Sequence, residues 1–130
     1  MPPRISVEDR IREIIQEIIS SDGLTKAQIK EYYKDELGFN LRSKSVMMMI
    51  KRDINDLLTL KIIWFNERNN SNLYTINKNF GFPLDSPYDA AGIYTIFFFG
   101  FKKGIINKNN VLKVINPSIF DYIGEPHLDF

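Results

Sequence analysis

Cysteine does not occur in this sequence. Its absence excludes disulfides, thiolate nucleophiles and zinc–thiolate centres, and it fits a cytoplasmic setting. Histidine is nearly absent: the single one, His127, stands close to the C-terminal Phe130, a poor place for fixed catalytic geometry. Neither common glycine-rich phosphate loop is present, and no carboxylate–histidine spacing suggests a metal site. The acidic pairs Glu8-Asp9 and Asp35-Glu36 fall on expected exposed helix faces and read as solvated charge. These gaps predict no enzyme, no metal and no cofactor. A long apolar run is missing too. The longest, Ala90 to Phe101, is interrupted by Gly92, Thr95 and Gly100 and falls well short of the ~20 apolar residues of a membrane-spanning helix. The N-terminal Met1-Pro2-Pro3-Arg4 leads straight into a charge-rich segment, with nothing resembling a secretory signal. Strong net charge is also lacking: 17 basic and 16 acidic residues leave +1, which is not the footprint of a strongly basic nucleic-acid protein.

What is present is enough for a core. With 44 % hydrophobic and 25 % charged residues over 130 positions, the chain has the composition of a globular protein of ordinary domain size. Charge is unevenly distributed. Between Gly38 and Ile54 stand Arg42, Lys44, Lys51 and Arg52 against the single acid Asp53, whereas the first segment carries Glu8, Asp9, Glu13 and Glu17 against Arg10 and Arg12. A neutral total can therefore hide a local positive patch.

Ser6 reads as an N-cap, and Val7, Ile11, Ile14, Ile15 and Ile18 recur at helical spacing, predicting helix one over 7–20. Ser20-Ser21-Asp22-Gly23 stops it, with Gly23 suited to a left-handed conformation. Leu24 is expected to be briefly extended. Thr25 and Gln28 form a capping box for helix two, whose apolar side is Ala27, Ile29, Tyr32, Tyr33 and Leu37, closed by Gly38. Ser43 or Asn40 caps helix three, which runs to about Leu60-Lys61. Its inner face is Val46, Met49, Ile50, Ile54, Leu57 and Leu58; Lys44, Met47, Met48, Lys51, Arg52 and Asn55 fall mostly outside. Ile62–Phe65 and Leu73–Ile76 predict a hairpin around a polar turn, Glu67 to Asn72. Two strands alone are marginal in water, so the hairpin must rest on the helices. Ser86-Pro87-Tyr88-Asp89 signals a fourth helix, with a strand through Ile93–Phe99 as the competing reading; Lys102-Lys103-Gly104 ends it either way. Ile105 to Ile115 reads as a hairpin or a short helix, Ile119 to Ile123 as a last helical turn, and Glu125 to Phe130 as a loosely held tail.

The segment Leu24-Thr25-Lys26-Ala27-Gln28-Ile29, the helix opening Ser43-Lys44-Ser45-Val46, and Asp56-Leu57-Leu58-Thr59-Leu60-Lys61-Ile62-Ile63 leading into the hairpin resemble the winged-helix family of helix-turn-helix domains. The resemblance implies an α+β, mostly helical fold: a winged helix-turn-helix over 1–79 with a C-terminal extension over 80–130 that dimerises or completes the core. It also implies that helix three reads the major groove of double-stranded DNA while the hairpin wing touches phosphates or the minor groove. Carried onto this chain, the contacts would be Arg42, Ser43, Lys44, Ser45, Met47, Met48, Lys51 and Arg52, with Arg68, Asn69 and Asn70 at the wing. The family often has glycine where the chain leaves helix three; Lys61 stands there.

The residues make a physical case of their own. Lys44, Met48, Lys51 and Asn55 follow at intervals of four, three and four, which places them on one helical stripe. Lysine and arginine can donate to guanine or phosphate, asparagine can pair with adenine, and methionine can pack on a thymine methyl. The plain alternative is a solvated helix face. An interrupted positive band, with Asp53, Asp56 and Glu67 exposed among the cations, would favour a protein partner instead. Tyr32, Tyr33 and Trp64 are expected in the core. Phe97-Phe98-Phe99 cannot all face one core at 3.6 residues per turn, so at least one is expected to meet a second copy of the chain across 87–123. The sequence thus predicts sequence-dependent DNA binding through helix three, by a cytoplasmic transcriptional regulator and homodimer; the alternative is a winged-helix protein-interaction adaptor.

Overall fold

A computed structural model describes residues 5–68 and 71–104. The element order is α1 (Val7–Ser20), α2 (Lys26–Asp35), α3 (Lys44–Thr59), β1 (Ile63–Arg68), β2 (Ser71–Ile76), a 3-10 turn (Lys78–Phe80) and α4 (Pro87–Lys102). The fold is α+β and mostly helical, and its element order is compatible with a winged helix.

Local chemistry sets each boundary. Ser6 Oγ accepts from the Asp9 N–H at 3.1 Å to open α1. The end of α1 is a Schellman turn: the Asp22 N–H reaches the Ile19 carbonyl and the Gly23 N–H that of Ile18. The left-handed residue there is Asp22 (φ 51°), one position before the expected Gly23. Gly23 takes φ 117°, and a Cβ on it would lie 3.0 Å from Thr75 Cγ2, so the close approach of β2 is what demands glycine. Leu24 is extended, as expected, and exchanges both backbone bonds with Tyr74 of β2 (3.0 and 2.7 Å). Thr25 and Gln28 complete the capping box of α2. Of the expected inner face of α2, Ile29 and Tyr33 are buried, Tyr32 and Leu37 are half-buried and Ala27 is exposed.

Ser43, not Asn40, caps α3; Asn40 Oδ1 instead accepts from the Arg42 N–H at 3.0 Å and shapes the turn before the helix. The end of α3 is a second Schellman turn, with Lys61 N–H on the Leu58 carbonyl and Ile62 N–H on that of Leu57. Lys61 is left-handed (φ 60°), the conformation that glycine adopts most cheaply.

The hairpin pairs Ile63 with Ile76 through to Arg68 with Ser71. The strands are therefore longer than expected: Glu67, Arg68, Ser71 and Asn72 belong to the ladder, not to the turn, because cross-strand bonding continues to the tip. Trp64, expected in the core, is 38 % exposed, and its neighbour Phe65 is 53 % exposed. Strand alternation gives the inner side to Ile63, and Phe65 packs across the strands on Tyr74 with ring centres 5.1 Å apart.

The helical reading of Pro87 onward holds, although Ser86 makes no side-chain cap bond and donates to Asp89 Oδ2 at 3.0 Å. Helix α4 lies on α1, and Ala91, Tyr94, Phe97 and Phe98 join Ile11, Ile14, Ile15, Ile18, Ile29, Ile50, Leu57 and Ile62 in one hydrophobic cluster. Phe97 and Phe98 are buried and Phe99 is half-buried against that cluster, so the aromatic surplus is not where the composition puts it; the exposed large hydrophobic residues of α4 are Tyr88, at 57 %, and Ile96, at 64 %. The readings for Ile105–Ile115, Ile119–Ile123 and Glu125–Phe130, and the position of His127, fall outside the described residues. Among the described residues no helix is long and apolar enough to cross a membrane.

Candidate nucleic-acid interface

The exposed face of α3 is fixed by what its other face grips. Asp53 sits in register with Ile50, Ile54 and Leu57, and is 3 % exposed. Its carboxylate takes a bidentate pair of bonds from Arg10 of α1, Nε to Oδ2 at 2.8 Å and Nη2 to Oδ1 at 3.0 Å. The Tyr33 hydroxyl of α2 donates to Oδ2 at 2.7 Å. One carboxylate thus ties three helices together, with its charge paired and hydrogen-bonded as burial demands. Burial, reinforced by the negative charge of Asp53, pushes the Tyr33 hydroxyl well above the usual tyrosine range and keeps it a neutral donor.

This anchor sets the rotation of α3 about its axis. With Asp53 pointing inward, Lys44, Ser45, Met48, Lys51, Arg52 and Asn55 all face solvent, and Arg42 is exposed in the preceding turn. Met48 is 65 % exposed and stands in the middle of the stripe. None of Arg42, Lys44, Lys51 and Arg52 forms an ion pair among the described residues. Ser43 and Ser45 are less free: their hydroxyls lie 2.9 Å apart, and Ser43 Oγ also accepts the Val46 N–H. Met47, expected on the outer face with Met48, is half-buried and packs against the core; a helix face holding Met49 and Ile50 inward draws in the residue on its shoulder as well.

The two acids of α3 whose exposure would interrupt a positive band do not lie free on it. Asp53 is in the core. Asp56 is half-buried and bonded to Lys102 of α4 at 2.9 Å, and that ammonium also lies 5.3 Å from the centre of the Phe98 ring. At the wing, Arg68 is placed on β1 by its backbone, and Asn69 and Asn70 lie outside the described residues. The face as described therefore carries four cations, an apolar thioether, an amide and the Ser45 hydroxyl.

The composition-based reading missed the Arg10–Asp53 pair. A signal was there: Asp53 occupies an apolar-stripe position of α3, and Arg10 falls in the helical row of Ile14 and Ile18. Opposite charges standing on the inner stripes of two helices are a pattern that a count of surface charge passes over. Trp64, the only tryptophan of the chain, was also misplaced; it lines a shallow pocket of about 350 Å³ with Leu58, Lys61 and Asn66, beside the exit of α3. No group of acidic, histidine or cysteine side chains suited to a metal occurs among the described residues. Comparison with protein-family models, with characterised proteins and with solved structures finds no match.

Proposed function

We propose that this chain is a DNA-binding protein of winged-helix type, acting as a transcriptional regulator, in which α3 enters the major groove. The observation that carries this reading is the segregation of charge on α3. Its cations, Lys44, Lys51 and Arg52, stand in solvent without ion-pair partners among the described residues, while its acids are withdrawn into pairs with Arg10 and Lys102. A helix whose acids are occupied presents a local positive field despite a net charge of +1 for the chain. Lys51 and Arg52 supply phosphate or guanine donors, Asn55 an adenine partner and Met48 an apolar contact for a thymine methyl.

Fluorescence anisotropy with random-sequence duplex DNA at low and at moderate salt tests the reading. Binding that weakens steeply with salt supports it, because displaced counterions dominate such affinity. A second reading, a protein-interaction adaptor, is favoured by the exposed Met48, Trp64 and Phe65. Absence of DNA binding even at low salt would leave the adaptor as the better account.

A further inference from the structure

The outer face of α4 is a second surface, separate from the cations of α3. It forms one wall of an open groove of about 800 Å³ whose apolar side is Ile93, Ile96 and Phe99. Asp89 stands at one end of this wall and Lys103 at the other, and both are exposed. The α1 rim carries Glu8, Asp9 and Arg12. Arg12 is already committed to its own chain: it crosses Gly92, donates to the Tyr88 carbonyl at 3.3 Å and lies 3.8 Å from the centre of the Tyr88 ring.

We infer that this face of α4 is the two-fold interface of a homodimer, in which the α4 helices of two copies pack antiparallel about Ile96. The α4 wall of the groove is self-complementary. Ile96 is the midpoint between Asp89 and Lys103, so a two-fold axis through Ile96 sets Asp89 of each copy opposite Lys103 of the other. Each charged position lies seven residues from the centre, about 10 Å along the helix, and the signs are opposite. The same operation sets Ile93 against Phe99 and Ile96 against Ile96, burying an isoleucine that is 64 % exposed in the single chain. A closed two-fold contact needs one patch that matches itself, and this patch does so in both charge and apolar character. The expected dimer thus gains a different centre from the one composition suggested, since Phe97 and Phe98 are already used in the core.

Sedimentation equilibrium of the full chain tests the inference and requires no DNA, so its outcome is independent of the DNA-binding proposal. The wild type should be dimeric at micromolar concentration. Ile96→Asp should weaken association at least tenfold while leaving the circular dichroism spectrum at 25 °C unchanged, because the site is exposed in the single chain. Asp89→Lys and Lys103→Asp should each weaken association by juxtaposing like charges. An equimolar mixture of these two variants should restore it, because in the mixed dimer every such pair is again opposite in sign. A wild type that stays monomeric at high micromolar concentration overturns the inference, whether the groove is then covered by residues 105–130 of the same chain or by a different protein. A dimer indifferent to Ile96→Asp, or a mixture no tighter than its components, overturns it equally.

Discussion

Helices α3 and α4 have the same length, 16 residues each, and are held in opposite ways. Helix α3 is anchored by a polar point, the carboxylate of Asp53 clasped by Arg10 and Tyr33. Helix α4 is anchored by rings: Phe82 lies 5.0 Å from Tyr94 and 5.2 Å from Phe97, and Phe80 stacks on Phe82 at 5.7 Å. The difference extends to what each leaves outside. A directional anchor fixes the rotation of α3 and commits a charged face to solvent. An aromatic anchor on a helix that is apolar on most sides leaves α4 with a hydrophobic remainder. One helix turns a charged face to solvent and the other an apolar one.

The largest effects should come from breaking the two anchors. Asp53→Ala leaves Arg10 buried without a counter-charge and Tyr33 without an acceptor, which should cost about 3–5 kcal/mol of stability in urea unfolding. Phe97→Ala should cost a similar amount, about 3–5 kcal/mol, through lost burial and a cavity. The two should differ in rescue. Replacing the whole cluster, Arg10→Met with Asp53→Leu and Tyr33→Phe, should recover most of the loss, because buried ionic and polar partners can be exchanged together for matched apolar volume. If this triple replacement is as damaging as Asp53→Ala, the account of α3 as held by a charge pair is wrong.

Alkaline titration gives an intermediate effect that probes both anchors together. Tyr33 of α2 and Tyr94 of α4 are buried, and burial is the main cause that raises both hydroxyls above the tyrosine value of 10.0, with the Asp53 carboxylate adding to the rise at Tyr33. The unfolded chain releases these protons near pH 10 while the folded chain keeps them. Stability should therefore be unaffected by these groups below about pH 10 and fall above it, by up to about 1.4 kcal/mol per tyrosine for each pH unit. Tyr33→Phe and Tyr94→Phe should each reduce that alkaline slope; unchanged slopes in both would mean that the hydroxyls are not shielded as described.

The smallest effect concerns the exit of α3. Lys61→Gly should stabilise the protein by about 0.5–1 kcal/mol, since glycine adopts the left-handed conformation without the Cβ clash that lysine bears. A thermal melt lowered by this change would show that the lysine side chain contributes more than its backbone strain removes.

Much of this fold can be read directly from residue order. Ser6 with Ile11, Ile14, Ile15 and Ile18 defines α1, and the Thr25–Gln28 box opens α2, because capping and periodicity are local properties. The end of α3 at Leu60-Lys61 is legible for the same reason. For α4, helix and strand remained open in the sequence because Ile93 to Phe99 is apolar on nearly every side and periodicity loses its contrast. The inward turn of Asp53, the half-burial of Met47 and the exposure of Trp64 depend on which elements meet, and that is a tertiary fact. The candidate interface was legible in its cations, Lys44, Lys51 and Arg52, all of which are exposed. What freed them, the pairing of Asp53 and Asp56 elsewhere, was not.

The central claim is that the solvent-facing cations of α3 hold the phosphate backbone. Its most direct test is the salt dependence of duplex-DNA affinity for the wild type and for Lys51→Ala/Arg52→Ala measured side by side. If about four phosphates are engaged per monomer, the log–log slope should be near −3.6 for the wild type and flatten by about 1.8 in the double variant, with weaker binding to every sequence. Equal slopes and equal affinities in the two proteins would contradict the claim.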